Sequence, residues 1–261
     1  MVGSLRAPGD RRWYRLSLAA LVLGAWAALA LWGASPYAGL LDHRALALGA
    51  APAAPLRLGA FVLGWTLMTV AMMLPSSMPL VNLFRRFVLH RADGARLLWL
   101  LGLGYLGVWT YFGLLTYLGD GLLHAAVASL PALQAASGSI AAAMLLLAGA
   151  YQFTPLKMMC LEKCRSPYSF LVSHWSGKHA GRDAFRLGIR HGLFCLGCCW
   201  TLMLLMFAIG GANLGWMLAL GALMAAERAT RWGRRLTRPL GGALVLWAVL
   251  YLAGLAPFPT A

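Results

Sequence analysis

Seven long apolar runs restrict what this chain can fold into more than any other feature. They are Leu16–Ala34, Leu58–Phe84, Leu97–Leu118, Ser139–Leu156, Leu193–Gly210, Ala212–Ala226 and Leu240–Ala256. A helix needs about 17–25 mostly apolar residues to cross the hydrocarbon of a bilayer, and most of the runs meet that length. The sixth is shorter, and Gly210-Gly211-Ala212-Asn213 leaves room only for a tight turn before it. AVILMFWYC residues make up 61% of the 261, and DEKR only 11%. A water-soluble domain of this size would lack polar surface to cover itself. Strands of a membrane β-barrel alternate apolar and polar positions, whereas these runs are continuous. The chain is too apolar for disorder and too poor in cysteine for a disulfide scaffold. The expected fold is all-α: one integral membrane domain over residues 1–261, a bundle of about seven transmembrane helices in a lipid bilayer.

Charge placement sets the expected orientation. The chain has 22 Lys and Arg against 7 Asp and Glu, a formal net charge of +15. Arg44 and Arg57 alone fall in connections on one side. The others sit in the N-terminal tail, in the connection after Phe84, in the stretch from Lys157 to Arg190, and between Arg228 and Arg238. The positive-inside rule then puts the N-terminus in the cytoplasm and the C-terminus outside. It also accounts for the net charge with no nucleic-acid partner. Leu16–Ala34 is longer than the apolar part of a secretory signal and lacks a small-x-small cleavage site after it, so a retained helix is expected.

All five cysteines lie between residues 160 and 199. Cys160 and Cys164 are spaced i, i+4, and share a face if the fourth segment continues helically past Lys157. His191, Cys195, Cys198 and Cys199 form a second group. At about 100° per residue, with His191 as zero, these thiols fall near 40°, −20° and 80°, and Met206 returns near 60°. One sector of a helix therefore carries imidazole, thiols and a thioether. The fourth segment ends, and the fifth begins, at the cytoplasmic face, so the two groups can converge there, around a cytoplasmic Cys/His loop at 157–191. Thiolate and imidazole suit Zn, Cu(I) and Fe, and reduced cytosolic thiols favour metal over disulfide.

The second segment adds thioethers in Met72-Met73-Leu74-Pro75-Ser76-Ser77-Met78-Pro79. Proline removes helix hydrogen bonds and should kink or break the helix. Broken backbone at membrane depth is tolerated only inside protein or along a cavity. Thioethers suit soft Cu(I), so Met72, Met73 and Met78 are expected as a transient relay toward the thiols. Met68, Met144, Met217 and Met224 read as ordinary core filler. His43, His90 and His124 lie outside the cluster and read as surface residues. Trp65-Thr66-Leu67-Met68 recurs as Trp200-Thr201-Leu202-Met203; an inverted repeat of helices two to four and five to seven would produce this, and chance identity among abundant apolar letters is the favoured reading. No phosphate-binding loop or HExxH occurs, and no chain of carboxylates for proton relay is visible.

The strings Ala71-Met72-Met73-Leu74-Pro75, Tyr151-Gln152-Phe153-Thr154-Pro155-Leu156-Lys157, Cys160-Leu161-Glu162-Lys163-Cys164-Arg165 and Arg190-His191-Gly192-Leu193-Phe194-Cys195-Leu196-Gly197-Cys198-Cys199-Trp200 resemble those of the bacterial predicted metal-binding integral membrane protein family (domain of unknown function 2182). The resemblance covers roughly Gly64 to Glu227. It implies a multi-pass protein of the bacterial inner membrane with a metal site, and it supplies no reaction.

The residues and the resemblance together lead to one functional expectation. A metal site at the cytoplasmic membrane boundary would use Cys160, Cys164, His191, Cys195, Cys198 and Cys199, with copper favoured over zinc or iron. Its role would be transport, sensing or delivery, with a metal chaperone or a membrane metalloenzyme as partner. No catalytic residue is singled out, and a non-enzymatic role fits better than an enzyme. The alternative from the same residues is a membrane thiol-redox or cofactor protein using the clustered cysteines.

Overall fold

The structure, a computed structural model, describes residues 8–37, 54–135, 137–209 and 213–257. Its elements are helices: α1 (Pro8–Gly33), α2 (Ala54–Val88), α3 (Gly94–Ser129), α4 (Pro131–Ala135), α5 (Ser137–Tyr151), α6 (Pro155–Arg165), α7 (Pro167–His174), α8 (Ala180–Ile209), α9 (Leu214–Ala229) and α10 (Gly233–Leu252). Among the described residues there is no strand, so the class is all-α. His43 and the turn residues Gly210, Gly211 and Ala212 lie outside the described residues.

Four helices are long and apolar enough to cross a membrane: Leu16–Gly33, Pro55–Val88, Gly94–Ser129 and Ala180–Met206. A fifth span exists if Gly138–Tyr151 and Pro155–Arg165, bent by 62° at the break between them, are one broken crossing. Length and composition thus support four or five crossings where seven were expected. α9 has only 16 residues, and α10 begins with Arg234, Arg235 and Arg238 in its first turns. Many outward faces are apolar, Trp99 of α3 being 74% exposed, as lipid contact would require.

Two expectations about local structure are corrected. α2 is one continuous helix through Pro75 and Pro79. The Ser76 hydroxyl donates to the Met73 carbonyl at 2.8 Å beside the proline-weakened stretch. The stretch 157–191 is helical for most of its length and not a loop. Thr154 starts α6, its hydroxyl accepting from the Lys157 N–H at 3.3 Å, and Pro155 takes the first position, where it has no N–H to lose. The fifth apolar segment likewise starts earlier than expected. α8 begins at Ala180, with Arg182, Arg186 and Arg190 exposed on its first turns.

The tightest crossing is between α3 and α8. A Cβ on Gly188 would stand 2.1 Å from the Leu101 carbonyl oxygen, and one on Gly104 2.3 Å from the Phe185 oxygen. Small residues let membrane helices approach to backbone contact. Around this crossing lie two buried clusters. One gathers Leu80, Phe84, Leu97, Leu101, Phe170, Leu171 and Leu187 from α2, α3, α7 and α8. The other includes Trp65, Met72, Met73, Tyr105, Cys195, Cys198, Cys199, Met203 and Met224.

A buried ion pair docks α6 to α9. Lys157 Nζ lies 2.9 Å from both carboxylate oxygens of Glu227, with the two side chains 0% and 3% exposed, and it also donates to Gln152 Oε1. Arg165 adds hydrogen bonds to the carbonyls of Glu227 (2.6 Å) and Arg228 (3.3 Å) at the end of α9, where helix carbonyls have no partner within the helix.

Two outcomes follow from this packing. Gly188→Leu should lower stability by at least about 1–3 kcal/mol in thermal unfolding in detergent. Gly102→Ala, whose Cβ meets nothing within 4 Å, should leave stability unchanged. Lys157→Met leaves the Glu227 carboxylate buried without a counter-charge and should cost about 3–5 kcal/mol, while Lys157→Met with Glu227→Leu should recover most of that loss.

Candidate metal centre

The thiols of α8 project one to two turns beyond Arg190, from the stretch of the helix packed against α2, α3 and α6. Within α8 the Cys198 and Cys199 sulfurs approach the Cys195 carbonyl at 3.1 and 3.0 Å, the local bonding expected of a small donor three or four residues on. The Cys195 sulfur lies 3.1 Å from the Tyr105 hydroxyl of α3. From α6, the Cys164 side chain lies beside that of Cys198. From α2, Met73 Sδ lies 3.8 Å from Cys199 Sγ. Sulfurs separated by up to 126 residues in sequence thus meet at one buried point.

The remaining expected residues stand around this point at different removes. Cys160 is buried against α8, and its sulfur would lie 2.6 Å from a Cβ on Gly197. The absence of a side chain at Gly197 is what lets α6 come this close. The Tyr151 hydroxyl donates to the Gly197 carbonyl and anchors the end of α5 there. His191 does not reach the thiols by a hydrogen bond. Its Nε2 lies 3.2 Å from Ser77 Oγ, and its ring stacks on Tyr105 at 5.5 Å. Met72 is buried against Gly221 of α9, and Met78 is half-buried. Of the three thioethers expected as a relay, Met73 is the one in contact with a thiol.

Sequence reasoning missed the residue at the centre. Arg228, assigned to a cytoplasmic connection, is 8% exposed and enters the cluster from the end of α9. Its Nη2 donates to Cys198 Sγ and Cys199 Sγ, at 3.0 Å each, and to the Cys195 carbonyl at 3.3 Å. Its Nη1 faces Met73 Sδ at 3.6 Å and donates to Ser76 Oγ. A guanidinium stays charged in any protein environment, and a buried charge is tolerated only when paired and hydrogen-bonded. Glu227 is already paired with Lys157, so the sulfurs are the partners within reach. The available hint was the dipeptide Glu227-Arg228 directly abutting an apolar run.

The donor set is soft: thiols and one thioether, with oxygen supplied by Tyr105 and Ser76. Such a set suits Cu(I) above the harder divalent ions. Among the described residues, no three His, Cys, Asp or Glu side chains are disposed to hold a metal ion together. The guanidinium occupies hydrogen-bonding positions on both Cys198 and Cys199.

No curated protein and no solved structure matches the chain. A family model does: the family described as PpoB2, copper chaperone, matches residues 62–251. The matched stretch contains every residue of the sulfur cluster and the arginine that enters it. The match shows a copper-related family and does not carry the name given to the sequence resemblance. Over most of its length, then, this chain belongs to the copper chaperone family.

Proposed function

We propose that this protein is a bacterial inner-membrane copper handler that holds Cu(I) at the sulfur cluster near the cytoplasmic boundary and passes it to a metal chaperone or a membrane metalloenzyme. The observation that carries this reading is the convergence of Cys164, Cys195, Cys198, Cys199 and Met73, from three helices, at one buried point. Cu(I) sites use four or fewer protein ligands as a rule. Two of the α8 thiols with Met73 as a third donor stay within that number and need no set of three cysteines. Cys160 and His191, one layer away, are entry or exchange ligands, and Met72 and Met78 lie along the approach.

Exposed arginines support the depth proposed for the site. Arg96 in the first turn of α3, Arg190 within α8 just before the cysteines, and Arg231 just beyond α9 are exposed. Charged side chains of this kind mark the aqueous edge of a span. On this reading the whole chain is one membrane domain with a cytoplasmic N-terminus. α9 and α10 complete seven crossings, and the sulfur cluster lies a turn or two inside the inner face. The contact between Cys164 and Cys198 supports a second reading, reversible thiol–disulfide chemistry.

Elemental analysis of detergent-purified protein loaded with Cu(I) under reducing conditions tests the first reading. About one copper per chain is expected, and Cys198→Ser with Cys199→Ser should lower Cu(I) affinity more than about tenfold. Equal copper retention by that double variant would remove the site. A Cys164–Cys198 disulfide that forms and reduces reversibly in metal-free protein, read by thiol alkylation, would favour the second reading.

A further inference from the structure

A soft sulfur site binds many thiophilic ions, so softness alone does not explain selection of one. The unexpected feature here is a fixed positive charge inside the site. Arg228 Nη2 lies 3.0 Å from both Cys198 and Cys199 sulfurs. A metal–thiolate bond is about 2.3 Å long. Any ion bonded to either sulfur therefore lies no more than about 5.3 Å from that nitrogen while the arginine stays in place. Repulsion between the guanidinium and the ion scales with ionic charge and is little screened in a buried site. A divalent ion meets twice the repulsion of a monovalent one for the same ligands.

Apart from the ligating thiolates, which attract the ion equally whether or not the guanidinium is there, the other charges near the site do not offset this. Glu227, the neighbouring carboxylate, is neutralised by Lys157. Arg165 is partly exposed and bonds backbone carbonyls. Tyr105, Ser76 and Ser77 carry no charge as neutral hydroxyls, and the His191 ring is turned toward Ser77 and Tyr105. The arginine is also held firmly. Its two terminal nitrogens engage α2 at Met73 and Ser76, and α8 at Cys195, Cys198 and Cys199.

We infer that Arg228 is a specificity-determining residue: its guanidinium biases the sulfur cluster toward monovalent soft cations and against divalent ones. The inference rests on the copper-site reading above. It assigns to Arg228 a role in charge selection, in addition to its role in packing. Silver(I) and cadmium(II) separate charge from softness, because both are strongly thiophilic and differ by one unit of charge.

The test is competition binding on the full-length protein in detergent, using Cu(I), Ag(I), Cd(II) and Zn(II). In the unaltered protein, Ag(I) should displace Cu(I), and Cd(II) and Zn(II) should not. In Arg228→Gln, the ratio of Cd(II) to Ag(I) affinity should rise more than about tenfold. Arg228→Lys, which keeps the charge, should hold the ratio near that of the unaltered protein. Cd(II) bound by the unaltered protein as tightly as Ag(I) would overturn the inference, and that measurement needs no variant to fold. An unchanged ratio in Arg228→Gln, or a ratio in Arg228→Lys equal to that of Arg228→Gln, would also overturn it. Binding of all four ions is expected to weaken more than about tenfold in Cys198→Ser with Cys199→Ser. If binding is as tight there, the copper-site reading fails, which is distinct from failure of charge selection at an intact site.

Discussion

A cation buried among sulfurs is the constraint on which the centre of this molecule depends. Arg228 cannot be left without hydrogen-bond acceptors in an apolar interior, and the acceptors come from α2 and α8 together. Satisfying it fixes the end of α9 against both helices. The preceding residue, Glu227, does the same toward α6 through Lys157. Two adjacent residues with opposite charges thus tie four helices to one point. Either charge without its partners would be a large penalty, so the arrangement is specified by cost as well as by attraction.

Glycine does the complementary work. Attraction at Arg228 and Glu227 can gather helices only if nothing holds them apart. Gly104 and Gly188 remove side chains where α3 crosses α8, and Gly197 removes one where Cys160 of α6 meets α8. In lipid, helices gain little from hiding apolar surface from one another, so close backbone approach and buried polar contacts carry the association. The sulfur cluster sits where both kinds of contact are densest. On the proposed reading this is where a soft ion is held, beside Tyr105 and Ser77, which contact Cys195 and His191.

Membership of a copper chaperone family gives these sulfurs a chemical context. Thiols and a thioether are the donors that Cu(I) prefers. The structure adds a permanent positive charge held by those donors. A cluster built only to bind metal tightly would have little use for a competing cation. A cluster that must choose and later release its cargo gains from one, because the arginine offers the sulfurs a second partner when the ion leaves.

The all-helical class was determined by sequence alone, because continuous apolar runs of membrane length leave the backbone no other way to satisfy its hydrogen bonds in lipid. The grouping of the five cysteines and their spacing on a helical sector were equally legible, since periodicity follows from 3.6 residues per turn. Tertiary structure decided the rest. Local rules put a kink or break at Pro75 and Pro79, yet α2 continues through both prolines with Met72 and Met73 buried among neighbouring helices. Local charge counting put Arg228, Glu227 and Lys157 at a watery edge, yet each is buried because its partner lies 29 to 155 residues away in sequence. Hydropathy scores a residue by itself. Whether a charge can be buried depends on what faces it, and only the folded chain determines that.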